Sequence, residues 1–135
     1  MPWILSQWAY ACAQAGKYKD AWGCIDEAVT LIARTGQRSH EAEILRIAGE
    51  IALLEPTPDA VKAEAYFERA LAIAHRQQAK SWELRAAMSM ARLWRDQGKR
   101  DEPRELLAPV YGWFTEGFDT LDLKEAKALL DELAA

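Results

Sequence analysis

The stretch GKYKDAWGCIDEA, residues 16–28, combines a glycine turn with a spaced series of small and large apolar residues. Its pattern is Gly-x-Tyr-x-x-Ala-x-x-x-Ile-x-x-Ala, and these apolar positions recur on one face of a helix. The glycine permits the positive φ of a tight turn between two helices. The small residues allow a close helix crossing, and the large residue between them fills the adjacent gap. The stretch therefore predicts the turn and second helix of a helix hairpin.

The same series returns twice farther along the chain, as AEAYFERA (63–70) and as GKRDEPRELLAPV (98–110). The equivalent positions Ala21, Ala63 and Pro103 are 42 and 40 residues apart. A helix pair of about 41 residues is thus predicted three times, followed by one extra helix. The spacing is that of the tetratricopeptide repeat with about seven added residues. The repeat lengths of HEAT and armadillo arrays are closer to 41 residues, but these arrays lack the series of Gly, Ala, an aromatic residue and Ala.

A phosphate-binding loop is the alternative interpretation of the two Gly-Lys turns. Such a loop needs a glycine five residues before the Gly-Lys pair and Ser or Thr after it. The first turn has Ala11 and Tyr18 at these positions, and the second has Leu93 and Arg100. Neither turn fits a phosphate loop.

Helical periodicity covers almost every window, and no stretch of five residues alternates with period two. Helices are predicted at about 3–15, 19–34, 40–54, 59–77, 82–97, 101–114 and 121–134. Gly36 is expected to end the second helix, Ser39 and Ser81 to cap the third and fifth, and Pro109 to kink or split the sixth. The predicted class is all-α: one tetratricopeptide-like domain over residues 1–135, a right-handed superhelical stack of three antiparallel helix pairs at about 3–36, 39–78 and 81–116. A capping helix at about 120–134 follows.

The tryptophans are assigned by their place in this pattern. Trp8 and Trp94 fall in apolar stripes and are predicted to lie in the core, as are Val29 and Leu130. Trp22 and Trp82 are expected to seal contacts between neighbouring helix pairs. Trp3 and Trp113 are expected to be partly exposed. An open Trp3 would mark a free stacking face through which two chains could dimerise.

Composition narrows the class of function. The chain has 135 residues, of which 50% are apolar and 28% charged, with a net charge of −4. This acidity argues against a nucleic-acid partner, and no apolar run reaches the roughly 18 residues of a membrane span. The start, MPWILSQW, lacks a secretory signal, so a cytoplasmic bacterial-type protein is expected. Cys12 and Cys24 are predicted to act as small apolar residues rather than as a disulfide framework.

Catalytic and metal-binding patterns are missing from the sequence. His40 and His75 are few and far apart, and HEAEI (40–44) lacks the second histidine that a zinc protease needs. Most carboxylates alternate with Lys and Arg at helical spacing, which is typical of solvated faces. The chain is therefore not expected to be an enzyme or to hold a cofactor or metal.

The C-terminal half resembles a known class of proteins. The stretch SWELRAAMSMARLWRDQGKRDEPRELLAPVYGWFTEGFDTLDLKEAKALLDELA (81–134) is similar to the end of large proteobacterial signalling proteins common in rhizobia. Residues 34–53 and 63–87 share the similarity more loosely. Those proteins join a class III adenylate cyclase domain, a STAND-type ATPase and a C-terminal tetratricopeptide region. Because this chain contains neither a cyclase metal site nor a phosphate loop, the resemblance implies a sensor or partner-binding segment rather than catalysis.

Arrays of this kind bind partners on the concave surface lined by the first helix of each pair. Helical counting places ten residues there: Ser6, Tyr10, Gln14, Glu43, Arg46, Glu50, Arg85, Met88, Arg92 and Arg95. The chain has no Asn, so it cannot reproduce the Lys and Asn clamp for a terminal carboxylate that the repeat family is known for.

Two interpretations of the arginines stay open. Arg92 and Arg95 could hold an acidic peptide by bidentate hydrogen bonds, or they could pair with acidic neighbours such as Asp96. The predicted function is a protein–protein interaction or regulatory module that binds an unknown protein or peptide. The alternatives are self-association through exposed repeat ends, as a homodimer, and a catalytic or ligand-sensing role through a small-molecule pocket between helices.

Overall fold

The computed structural model describes residues 2–36, 38, 40–117 and 120–134 of the chain. Within these ranges it contains seven α-helices and no β-strand, which confirms the all-α class. The helices are α1 Pro2–Gln14, α2 Tyr18–Thr35, α3 Glu41–Leu54, α4 Ala60–Arg76, α5 Lys80–Asp96, α6 Asp101–Gly112 and α7 Leu121–Ala134. The predicted cap Ser39 and the side chain of Trp3 fall outside the described residues.

The two Gly-Lys turns close their helices in the same way. Gly16 and Gly98 have positive φ values of 82° and 87°. The N–H groups of Lys17 and Lys99 donate to carbonyls five residues earlier, those of Cys12 and Trp94, at 2.8 and 3.0 Å. This is the Schellman geometry of a helix C-terminus, in which a left-handed residue satisfies the last carbonyls. Both turns therefore end a helix.

A third turn of this kind explains where α5 begins. Gln78, with a φ of 55°, takes the left-handed position without being glycine, and the N–H of Ala79 donates to the carbonyl of Ala74. The chain enters α5 immediately afterwards, at Lys80. The prediction that Ser81 caps this helix is wrong, because Ser81 already lies in its first turn.

The helices pack in a regular order. Each helix contacts the next one along the chain, and the odd-numbered helices also contact each other in sequence, α1 with α3, α3 with α5 and α5 with α7. Among the described residues, the backbones of the even-numbered helices do not come this close to one another, although side chains of α2 and α4 meet. The odd-numbered helices therefore lie side by side, and each even-numbered helix covers the junction between two of them.

The spaced residues of the repeated series form the core of this packing. Ala21, Ala63, Phe67 and Ala70 have no exposed surface. In the third copy Leu107 is equally buried. Phe67 lies against α3 at Gly49, where a β-carbon would come within 2.5 Å of the Phe67 ring. Glycine at this position is therefore what lets α4 approach α3.

Several predicted core positions lie elsewhere. Trp8 is 64% exposed, because α1 turns Ser6, Ala9 and Ala13 inward. Val29 is 45% exposed, because the buried face of α2 is formed by Ala21, Ile25, Ala28 and Ile32. Trp94 is half-buried, and its indole N–H donates to Glu64 at 2.9 Å. In α7, Leu129 takes the buried position predicted for Leu130, which is half-buried.

Pro109 lies inside α6, and Trp22 lies between two helix pairs. Helix α6 runs without interruption from Asp101 to Gly112, so Pro109 does not split it. Proline has no N–H group to donate to the carbonyl of Glu105, and both residues lie on the exposed face of α6, so this carbonyl does not lose its donor in the core. Trp22 of α2 stacks on Tyr66 of α4 with ring centroids 6.0 Å apart, so it does join two helix pairs.

We expect Gly49→Ala to lower the free energy of unfolding by about 1–3 kcal/mol, because the added methyl group overpacks the contact with Phe67. Gly23→Ala is the matched control, since a β-carbon at Gly23 in the middle of α2 meets nothing within 4 Å. It should stabilise the protein by up to about 1 kcal/mol through helix propensity. Urea unfolding followed by circular dichroism measures both, and equal shifts would contradict the close approach of α4 to α3.

Candidate binding cleft

A cleft of about 340 Å³ opens where α1, α3, α5 and α7 meet. Each of these four helices contributes side chains, and the cleft is the candidate binding site. Its lining is Gln7, Tyr10, Glu43, Arg46, Ile47, Glu50, Arg85, Met88, Arg92, Leu121, Asp122 and Glu125.

The structure brings together seven of the eight principal residues predicted for the groove: Tyr10, Glu43, Arg46, Glu50, Arg85, Met88 and Arg92. The eighth, Arg95, lies in a neighbouring depression with Glu125 and Glu132. Of the two other residues counted on α1, Ser6 is fully buried and Gln14 is exposed outside the cleft lining. Gln7 lines the cleft instead.

The contribution of α7 was missed by the sequence analysis, which treated this helix only as a cap. Leu121, Asp122 and Glu125 all line the cleft. The helix order in the sequence could have predicted this contribution, because α7 follows the third helix pair in the same way that α3 follows the first. By that order it takes the place of a first helix in a further pair.

Glu43 is the buried centre of the charged residues. It is only 3% exposed, yet it is a carboxylate. Its two oxygens accept hydrogen bonds from Nε and Nη2 of Arg46, one turn away on α3, and from Nη1 of Arg85 on α5. A buried carboxylate requires such paired donors to offset its lost hydration. Arg46 also reaches the buried Ser89 hydroxyl at 3.3 Å, which gives a second link to α5.

Arg85 connects three helices. From α5 it donates Nη1 to Glu43 on α3 and Nε to Asp122 on α7, the latter at 3.0 Å. Burial acts to lower the pKa of Arg85, but the carboxylates of Glu43 and Asp122 outweigh it and raise that pKa above its ordinary value. The guanidinium is thus held in its charged form between two acids.

Two more arginines of α5 pair with acids of α7. Arg92 contacts Glu125 at 3.3 Å, and Arg95 contacts Glu132 at 2.8 Å. Arg95 also bonds Asp96 at 3.1 Å, as the ion-pair interpretation anticipated. The hydrogen bond that Arg95 donates to Glu132 raises the pKa of Arg95, against a smaller opposing effect of burial. Arg85, Arg92 and Arg95 of α5 are therefore all paired with acidic side chains of the same chain.

The remaining lining is apolar or uncharged. Ile47 and Met88 are almost fully buried and form the floor, and Tyr10 lies half-buried beside them. Among the described residues, the Tyr10 hydroxyl and the Gln7 amide have no hydrogen-bond partner, so both are available to a ligand. The cleft thus offers an apolar floor, free polar groups on one side and ion pairs on the other.

The histidines and cysteines are not gathered into a site. His75 is exposed and lies 3.3 Å from Glu83, while His40 packs against the Trp82 ring. In the part of the chain that the structure describes, no group of three or more His, Cys, Asp or Glu side chains is placed to hold a metal ion. No helix in the described ranges is both long enough and apolar enough to cross a membrane.

Comparisons of the chain with protein-family models, with curated proteins and with solved structures each gave no match.

We expect Glu43→Gln to lower the free energy of unfolding by about 1–3 kcal/mol, because two arginines lose the carboxylate between them. Both arginines are partly exposed, which keeps the loss below that of a fully buried pair. Glu102→Gln, whose carboxylate is 59% exposed and 3.6 Å from Lys99, is the control and should change stability by less than about 0.5 kcal/mol. Chemical denaturation would contradict this assignment if the two variants behaved alike.

The ion pairs between α5 and α7 should differ in strength. Double-mutant cycles with alanine should give a larger coupling for Arg85 with Asp122 than for Arg95 with Glu132, because Asp122 is 29% exposed and Glu132 is 57% exposed. The exposed pair should contribute about 0.2–1 kcal/mol and weaken with added salt. A coupling near zero for Arg85 and Asp122 would show that this ion pair does not stabilise the contact between α5 and α7.

Proposed function

We propose that this chain is a tetratricopeptide-like protein–protein interaction module that binds a peptide segment of a partner protein in the cleft. The observation that carries the proposal is the convergence of α1, α3, α5 and α7 on one cleft that combines an apolar floor with unpaired polar groups. A cleft of this composition suits a ligand that buries an apolar side chain and bonds through its backbone.

The order of helix contacts and the buried repeated series support the tetratricopeptide-like part of this proposal. In such an array the first helices of successive pairs line the inner surface, and here the odd-numbered helices line the cleft. On this interpretation the three pairs form a right-handed superhelical stack, and α7 closes it. The resemblance of residues 81–134 to the end of cyclase and ATPase signalling proteins extends the proposal to a cytoplasmic signalling role.

The cleft also indicates the chemistry of the ligand. Leu121, which is 68% exposed, can contact an apolar side chain above the floor formed by Ile47 and Met88, and the Tyr10 hydroxyl and Gln7 amide can bond a peptide backbone. Arg92 is 38% exposed and makes a single 3.3 Å contact with Glu125, so it retains N–H groups for a ligand carboxylate. Arg46 and Arg85 are committed to Glu43. The proposed ligand is therefore a peptide with an apolar residue next to an acidic one.

Selection from a displayed peptide library would test this function directly. Peptides enriched on the wild-type chain should contain an apolar–acidic pair. Their affinity, measured by fluorescence polarisation, should fall about tenfold or more with Arg92→Gln, which removes a charged hydrogen-bond donor. Gln7→Ala should also weaken binding, by a smaller factor.

Arg104→Gln is the matched control, because Arg104 is an exposed arginine on α6, outside the cleft. It should leave peptide affinity unchanged. If no peptide is enriched, or if Arg92→Gln and Arg104→Gln weaken binding equally, the cleft is not the binding site.

A further inference from the structure

Helix α1 carries an exposed apolar stripe on the side away from the core. Ile4 is 50% exposed and Trp8 is 64% exposed, and Ala11 and Ala15 are exposed in line with them. The spacing of four and three residues places Ile4, Trp8 and Ala11 on one face of α1, and Ala15 follows in line just after the helix ends. Exposed tryptophan beside exposed isoleucine on adjacent turns is characteristic of an association surface.

In the other odd-numbered helices, the preceding helix of the chain covers part of the surface. Helix α2 packs on α3, α4 packs on α5 and α6 packs on α7, so each of these odd-numbered helices is covered by the helix before it. Within the described residues, α1 contacts only α2 and α3. The stripe is therefore a helix-packing surface that no described helix covers.

The charge of α1 distinguishes among the helices that could cover it. The helix PWILSQWAYACAQ contains no charged residue, whereas each of the six other helices of the described chain contains several. A partner with a charged surface would require opposite charges on the exposed face of α1, and α1 has none. A two-fold contact instead places the same surface opposite itself, and any charge there would repel its own copy. A neutral apolar stripe is self-complementary in this sense.

We propose that the stripe of Ile4, Trp8, Ala11 and Ala15 binds the same stripe of a second copy of this chain. The two α1 helices then pack about a two-fold axis with Trp8 near its centre. The exposed amide of Gln14 flanks the contact, and it can both donate and accept hydrogen bonds across it. This dimer does not depend on peptide binding in the cleft.

Sedimentation velocity over a range of concentrations tests the proposal on the chain as it is. The wild type should be a dimer at high micromolar concentration, and Trp8→Glu should weaken the dimer by about a hundredfold or more, which leaves a monomer over the same range. Because Trp8 is mostly exposed, the variant should keep the wild-type helical content by circular dichroism. Val61→Glu is the control, since Val61 is 81% exposed on α4, and it should remain dimeric.

A charge-pair experiment tests the two-fold geometry itself. Trp8→Glu and Trp8→Arg should each be monomeric alone, and an equimolar mixture should recover a dimer, because the axis brings the opposite charges together. A monomeric wild type overturns the proposal. So does a dimer that survives Trp8→Glu, or a mixture that stays monomeric.

Discussion

The bridge made by Arg85 is the interaction on which the arrangement of the cleft depends. Its guanidinium bonds Glu43 on one side and Asp122 on the other, so it fixes α5 relative to both α3 and α7. Glu43 is too deeply buried to recover its hydration, and it therefore requires both Arg46 and Arg85. Apolar packing alone would tolerate small slides between the odd-numbered helices. A charged network of fixed geometry restricts them to one register, which is the role best attested for buried ion pairs.

This arrangement also decides what the cleft can recognise. Three arginines line it, but four carboxylates line it as well, so the surface is mixed rather than basic. An acidic ligand would have to compete with Glu43 for Arg46 and Arg85, and a loss of that pairing would leave a buried charge unsatisfied. Under the proposed function, recognition therefore falls to Arg92, whose pairing is weaker and more exposed, and to the apolar and uncharged groups of the floor and of α1.

Local periodicity was enough to predict the helices and most of the cleft residues. Positions such as Ala63 and Phe67 are buried because their spacing is dictated by the helix hairpin itself. The error at Trp8 occurs where periodicity is weak. Helix α1 is uncharged on every side, so its sequence does not distinguish Trp8 from its neighbours, and a shift of one residue rotates the face by about 100°. The contacts of Arg85 join residues 37 and 42 positions apart, and no local pattern encodes such pairs.

The two ends of the helix series differ in a way that limits how copies can associate. Helix α7 exposes Lys124, Lys127 and Asp131 on its outer side, and Lys127 is paired with Asp131 at 3.0 Å. A head-to-tail contact would press the apolar stripe of α1 against these charges and remove them from water without new partners. Such a contact would also repeat indefinitely, since a heterologous interface leaves a free end on every copy. A two-fold contact between α1 stripes buries only uncharged surface and closes after two copies. The charge asymmetry between α1 and α7 thus favours a closed dimer over a filament.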